Sequence, residues 1–138
     1  MTQNYKNHVR WSIPYHFTFL PLVLIALGYS IYNFIEQKDL TSGLLAFAFV
    51  LLAFLGVIVR VFALTVQNRA AETAERIRYF TLTQKALPAN LTMGQILALR
   101  FASDGELSDL AERASVQGLS PDEIKRAIVN WRGDYNRV

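Results

Sequence analysis

Residues 44–66 read LLAFAFVLLAFLGVIVRVFALTV, and this stretch decides the fold. Its one charged side chain is Arg60. A helix of about 20 predominantly apolar residues is long enough to cross the hydrocarbon core of a bilayer. The stretch therefore predicts a transmembrane helix.

A second apolar stretch precedes it. Residues 17–35, FTFLPLVLIALGYSIYNFI, contain no charge, and as a helix they would span roughly 28 Å. Since Pro14 disfavours a helical conformation at Ile13, we expect this helix to begin after the proline. The stretch is longer than a typical signal peptide core, and no small-residue cleavage site is obvious after it, so we expect it to stay as an anchor.

The two predicted spans are joined by residues 36–43, EQKDLTSG. Such a short connection requires the spans to be antiparallel neighbours. Ser42 is a typical helix N-cap residue, and it predicts the start of the second helix.

The second helix is predicted to continue beyond the apolar stretch. No helix breaker occurs until Pro88, and the segment QNRAAETAERIRYFTLTQKA is rich in helix-forming residues. We therefore expect a helical extension into the cytoplasm, ending at about Lys85.

The rest of the chain predicts three short helices. Capping-box patterns mark their starts, and Gly118 is a typical terminator for the middle helix. The three capping pairs are Thr92–Gln95, Ser103–Glu106 and Ser120–Glu123. About fifty residues form only a marginal core, so this part should dock on the helical extension or on a partner.

The predicted fold is all-α, a membrane hairpin followed by a small helical domain. Its divisions are a polar and aromatic N-terminal tail (1–16), the hairpin with spans 17–35 and 44–66, the helical extension (67–86) and the three-helix domain (87–138).

The distribution of charge predicts orientation. Lysine and arginine flank the spans at both chain ends, whereas the turn holds one lysine and two acids. By the positive-inside rule, both termini face the cytoplasm.

Tyr5, Trp11 and Tyr15 fit an interfacial aromatic belt. The side chains expected at anionic lipid headgroups are Lys6, Arg10, Trp11, Arg60 and Arg69.

One face of the second helix carries small residues at a spacing of three or four, and we call it the small-residue row. Its members are Ala46, Phe49, Ala53, Gly56, Arg60, Ala63, Gln67, Ala70, Ala74 and Ile77. Small residues allow membrane helices to approach closely. The row predicts either a partner-helix interface or packing inside the hairpin against Ala26, Ser30 and Asn33. Beyond the membrane, a partner, a second copy or the C-terminal domain must cover it.

Two polar residues near the spans allow sharper hypotheses. Arg60 lies about one turn before the expected cytoplasmic edge, where an arginine either reaches toward phosphates or pairs with a partner's carboxylate. His16, at the entrance of the first span, is a weak candidate for binding haem or a pigment. The favoured interpretation of His16 is an interfacial side chain bonded to headgroups.

Several function classes are disfavoured by the composition. The chain has no cysteine, and its two histidines match no metal-ligand spacing. Phosphate-binding loops and catalytic triads are not evident, so we expect no enzyme activity, metal, cofactor or small-molecule substrate. Arginines on the helical extension alternate with Glu72 and Glu75, which disfavours nucleic acid as a partner.

Several short runs resemble a known family. They are QNYKNH at 3–8, PYHF at 14–17, RYF at 78–80, LALRFASD at 97–104 and LSPDEIK at 119–125, together with Trp131 and the terminal residues Asp134, Tyr135, Arg137 and Val138. They resemble an uncharacterised family of small two-span bacterial proteins over nearly the whole chain. The resemblance implies a bacterial inner-membrane protein of no known activity and supplies no catalytic residues.

These observations favour a non-enzymatic accessory or scaffolding subunit of a larger inner-membrane complex. One alternative is a homo-oligomer formed through the small-residue row. Another is a small cofactor-bearing subunit of an electron-transfer complex, with His16 as axial ligand to haem or a pigment.

Overall fold

The computed structural model describes residues 3–8 and 11–135. In these ranges the chain is all-helical and has no strand, as predicted. A π-helical segment, Pro14–Phe19, leads directly into the first α-helix. The α-helices are α1 (Leu20–Gln37), α2 (Leu40–Thr83), α3 (Met93–Leu99), α4 (Asp104–Gln117) and α5 (Pro121–Ala127).

The first helix begins earlier than predicted. Ile13 has helical backbone angles, φ −57° and ψ −49°, so the expectation that Pro14 keeps it out of a helix is wrong. Proline fits the first helical position because its missing N–H is not needed there. The carbonyl of Ser12 accepts a hydrogen bond from the His16 N–H at 2.9 Å, which fixes the first turn around the proline.

The first turns are wider than those of an α-helix. The Leu20 N–H donates to the carbonyl of Tyr15, five residues earlier. Pro21 follows at once and has no N–H to donate. The π-helical turn therefore lies where Pro21 interrupts the backbone hydrogen bonds of the α-helix, and prolines are a common cause of such a distortion.

The turn between the helices is shorter than predicted. Only Lys38 and Asp39 lie outside the helices, and Lys38 ends α1 in the left-handed conformation, with φ 51°. The Asp39 carboxylate accepts a hydrogen bond from the Ser42 N–H at 2.9 Å and another from the Ser42 hydroxyl. Asp39 therefore caps α2, and the prediction of Ser42 as N-cap is wrong, because an ionised carboxylate is also favoured by the helix dipole. These bonds, the one from the hydroxyl first, lower the pKa of Asp39 below 3.8.

The chain forms two compact units. The hairpin unit consists of residues 11–64 and the C-terminal unit of residues 1–10 and 65–138, of which 3–8 and 65–135 are described. Helix α2 has 44 residues and contributes to both units. It ends close to the predicted Lys85, where Gln84 adopts a left-handed φ of 57°.

In the hairpin unit the helices run antiparallel. The ring of Phe34 lies against Gly43, where an added Cβ would be 3.0 Å from Cε2. The ring of Phe19 lies against Gly56. Contacts that pair later residues of α2 with earlier residues of the first helix define an antiparallel hairpin.

In the C-terminal unit, the end of α2 shares one core with α3, α4 and α5. Tyr79 of α2 is 2% exposed and belongs to the same cluster as Ile96, Phe101, Leu107 and Ile124. The helical extension therefore supplies part of the core that the three short helices are too small to form alone.

Two of the predicted capping boxes form, at Thr92–Gln95 and Ser120–Glu123. The one predicted at Ser103 does not, because the Ser103 side chain accepts no backbone hydrogen bond at the start of α4. Its expected partner, Glu106, instead accepts hydrogen bonds from the backbone N–H groups of Val129 and Asn130, at 3.0 and 2.7 Å. This carboxylate ties α4 to the segment after α5.

Candidate functional site

The small-residue row has different surroundings in the two units. Its members from Ala46 to Gln67 are half-buried, whereas Ala70, Ala74 and Ile77 are exposed. In the hairpin unit, Gly56 of the row lies against the ring of Phe19 in the first helix. In the C-terminal unit α2 buries a different face, which carries Tyr79.

Gly56 of this row has no room for a side chain. A Cβ at Gly56 would lie 2.3 Å from Cε1 of Phe19, well inside van der Waals contact. By contrast, a Cβ at Gly28 would meet no atom within 4 Å. The missing side chain at Gly56 therefore makes room for an aromatic ring, and the neighbour is a side chain rather than a backbone.

Beside Gly56 the two helices of the hairpin unit leave an apolar cleft of about 340 Å³. Phe19 of the first helix and Leu52, Leu55 and Val59 of α2 line it. The wall is almost wholly apolar, so the cleft suits a hydrocarbon ligand.

Arg60 and Tyr15 also line this cleft. The guanidinium carbon of Arg60 lies 5.5 Å from the centre of the Tyr15 ring. This separation is within cation–π range and fixes the direction of the guanidinium.

His16 lies beside Tyr15 among aromatic rings. Its Nδ1 is 3.0 Å from the carbonyl oxygen of Ser12. Its ring centre is 4.9 Å from that of Trp11 and 5.1 Å from that of Tyr15, both nearly perpendicular. The imidazole is therefore packed between two aromatic side chains.

In the C-terminal unit, Arg78 forms the most extensive ion-pair network. Its guanidinium donates to Glu75 at 2.9 Å, to Asp104 at 2.7 Å and to the carbonyl of Ala102 at 2.8 Å. The side chains of Arg78 and Glu75 are only 12% and 11% exposed. The network therefore fixes α2 to the start of α4.

A second cavity of about 340 Å³ lies next to this network in the C-terminal unit. Glu75 Oε1 is 3.7 Å from Arg132 Nη1, and Asp134 Oδ2 is 3.2 Å from Arg100 Nε. The charges that line the cavity pair with one another, which is typical of an ion-pair network that stabilises a fold.

The N-terminal residues 3–8 lie on the C-terminal unit. The Tyr5 hydroxyl donates to Asp122 at 2.8 Å and accepts from Nε of Arg126 at 3.1 Å. The hydrogen bond to Tyr5 and the charge of Asp122 raise the pKa of Arg126 above its usual range. Tyr5 therefore contacts α5.

His8 continues this contact. Its ring centre is 5.8 Å from that of Phe101 and 5.9 Å from that of Trp131. Gln3 accepts a hydrogen bond from the backbone N–H of Asp134 at 2.7 Å. Residues 3–8 thus contact the segment from Trp131 to Asp134.

The family can now be assigned. The model of a family of unknown function, DUF6526, matches residues 1–138. The chain belongs to the DUF6526 family. The resemblance to an uncharacterised family is thereby confirmed. No curated protein and no solved structure matches the chain.

In this DUF6526 chain the residues predicted to meet lipid headgroups differ in exposure. Lys6, Trp11 and Arg69 are exposed, Arg60 is half-buried, and Arg10 lies outside the described residues. Among residues 3–8 and 11–135, no group of three or more His, Cys, Asp or Glu side chains is placed to hold a metal ion.

Sequence reasoning missed the Arg78 network and the contact of Tyr5 with α5 in the DUF6526 fold. Glu75 and Arg78 stand three residues apart on one helix, a spacing that does signal an ion pair. Nothing local signals the contact between Tyr5 and Arg126, because it joins the two ends of the chain.

Proposed function

We propose that this DUF6526 protein is a two-span protein of the bacterial inner membrane and a non-enzymatic accessory subunit of a larger membrane complex. Its N- and C-terminal segments lie in the cytoplasm, and the turn at Lys38 and Asp39 lies outside. The observation that carries the proposal is the apolar surface of the hairpin unit.

This surface has the character of a lipid-facing one. The most apolar 18-residue window of α2 has a mean hydropathy of 2.7, and none of it is buried. Large side chains such as Phe54 and Phe62 are 64% and 67% exposed. Exposure of such a surface to water costs about 25 cal/mol of free energy for each Å² of apolar area. Contact with lipid removes this cost.

Two further observations support the topology. Residues 3–8 pack with residues 65–135 in one unit, and an even number of spans puts both chain ends on the same side. Arg69, Arg76 and Arg78 follow the second span, which favours the cytoplasm for that side.

The accessory role is supported by the surface of the C-terminal unit. Ile77 and Phe80, three residues apart on α2, are 62% and 53% exposed. Exposed apolar patches of this kind are typical of protein-binding surfaces. Charged side chains such as Arg78 and Glu75 form ion pairs that stabilise the fold, and the exposed apolar side chains favour a binding role over a catalytic one.

Purification from native membranes in mild detergent tests this role. We expect specific membrane proteins to co-purify with wild type, and Ile77→Asp with Phe80→Asp to lose them. Val116→Asp is the matched control, because Val116 is 86% exposed on α4. A lone monomer with no co-purifying protein would contradict the accessory role.

Self-association is the second candidate. The exposed positions Ala70, Ala74 and Ile77 continue the small-residue row at coiled-coil spacing. The chain has no cysteine, so Ala70→Cys and Ala74→Cys each report on a single site. Efficient disulfide formation between two copies in membranes would favour a symmetric dimer, and its failure at both sites would exclude a dimer through this face.

A further inference from the structure

The apolar cleft of the hairpin unit is shaped for a chain-like ligand. Phe19 forms one wall, and Leu52, Leu55 and Val59, about one turn of helix apart, form the other. At about 340 Å³ it lies at the lower end of the usual range for ligand sites, roughly 300–1,000 Å³. Gly56 contributes no side chain to fill it.

The cleft has a cation near one end. Arg60 lines the cleft together with Tyr15, over whose ring the guanidinium carbon lies at 5.5 Å. The guanidinium brings positive charge to an otherwise apolar wall, which favours an anionic ligand.

The position of Arg60 along α2 matches a lipid phosphate. It precedes Gln67, where the polar sequence resumes, by seven residues, or about 10 Å of helix. An arginine side chain at this depth extends toward the headgroups. The apolar wall from Val59 back to Leu52 then points toward the bilayer centre, as an acyl chain does.

We propose that this cleft binds one anionic phospholipid of the cytoplasmic leaflet, with an acyl chain between Phe19 and Leu55 and its phosphate on Arg60. The proposal rests on the membrane insertion proposed above. Arginine presents a planar pair of donors that matches two phosphate oxygens. A zwitterionic headgroup would bring its own cation next to Arg60, so an anionic headgroup binds more tightly.

Native mass spectrometry of the full chain in mild detergent tests the site. Phosphatidylglycerol and phosphatidylcholine with identical acyl chains are titrated, and the apparent Kd of the first adduct is measured for each. We expect phosphatidylglycerol to bind about tenfold more tightly, a difference of about 1.4 kcal/mol, because only phosphatidylcholine brings a second cation beside Arg60. Arg60→Gln should remove this preference, and Arg60→Lys should retain part of it.

A second pair of variants tests the cleft independently of charge. Ala63→Trp fills the cleft beside Arg60, whereas Ala48→Trp adds the same bulk at an exposed position elsewhere on α2. We expect Ala63→Trp to weaken phosphatidylglycerol binding roughly tenfold and Ala48→Trp to bind like wild type.

Three results would overturn the proposal. The first is equal affinity of wild type for the two lipids, and the second is wild-type affinity in both Arg60→Gln and Ala63→Trp. The third is an Ala63→Trp variant that loses self-association but keeps its lipid affinity, which would assign the cleft to a second copy. Alkaline extraction of membranes distinguishes failure of the lipid site from failure of the proposed membrane insertion. A protein that stays in the membrane pellet but shows no lipid preference refutes only the lipid site. A protein that is released into the supernatant refutes the membrane insertion as well.

Discussion

Replacement of Gly56 by leucine tests how the two helices of the hairpin unit pack. The first added carbon alone would lie 2.3 Å from Cε1 and 2.7 Å from Cζ of Phe19. Because both separations are shorter than van der Waals contact, the ring must move or the helices must separate. Overpacking of this kind costs about 1–3 kcal/mol.

A second effect opposes this cost. Glycine is less favourable than leucine inside a helix by roughly 0.8 kcal/mol, so the net destabilisation of Gly56→Leu is smaller than the overpacking term. Gly28→Leu gives the same gain, and its Cβ meets no atom within 4 Å. The difference between the two variants therefore isolates the overpacking, about 1–3 kcal/mol.

Trp11 supplies the signal for this measurement, because it belongs to the hairpin unit and contacts His16. In a Trp131→Phe background, unfolding of the hairpin in detergent is followed by Trp11 fluorescence alone. We expect Gly56→Leu to unfold at lower denaturant than Gly28→Leu. Equal midpoints for the two variants would refute the packing of Phe19 on Gly56.

Three further predictions concern the C-terminal unit, and Trp131 fluorescence in a Trp11→Phe background measures all of them. Arg78→Ala should lower the free energy of unfolding by about 2–4 kcal/mol, because it leaves a buried carboxylate without its main partner. Arg76→Ala, which breaks a more exposed pair, should lower it by less than about 0.5 kcal/mol. Similar losses of stability in the two variants would contradict the network. Ser120→Ala should cost about 1 kcal/mol by removing an N-cap, and Ser103→Ala should cost less than half of that, since its capping box does not form. Burial raises the pKa of Glu106, but hydrogen bonds from the chain after α5 outweigh burial and lower the pKa below 4.5. The stabilisation by these bonds is therefore complete above pH 4.5 and is lost as the carboxylate becomes protonated at lower pH. Glu106→Gln should be about 1 kcal/mol less stable than wild type at neutral pH, and the two proteins should converge in stability in acid.

Much of the fold could be predicted from the sequence because its signals are local. The two apolar stretches, the continuation of α2 to the region of Lys85, and the caps at Thr92 and Ser120 each depend on neighbouring residues. Gly118 likewise ends α4 in the left-handed conformation, with φ 65°.

The errors arose where two local signals competed or where a distant residue intervened. Asp39 and Ser42 are both good N-caps, and the ionised side chain at the turn prevailed. Glu106 matched a capping box but accepts hydrogen bonds from residues 129 and 130 instead. A pattern of three residues cannot predict a partner that lies more than twenty residues away.

The candidate site was only partly predictable. The small-residue row and the position of Arg60 could be read directly from the sequence. The ring of Phe19 on Gly56 and that of Tyr15 beside Arg60 depend on the register of the hairpin, which the short turn constrains but does not specify. The contact of Tyr5 with Arg126 joins the chain ends and has no local signal.

The central claim is a two-span hairpin with both chain ends in the cytoplasm, and cysteine labelling tests it most directly. The chain has no cysteine, so Lys38→Cys in the turn and Val116→Cys on α4 each provide one thiol. A membrane-impermeant maleimide is applied to intact spheroplasts and to lysed ones. We predict that Lys38→Cys is labelled in both, and Val116→Cys only after lysis. Labelling of Val116→Cys in intact spheroplasts, with Lys38→Cys protected, would contradict the account.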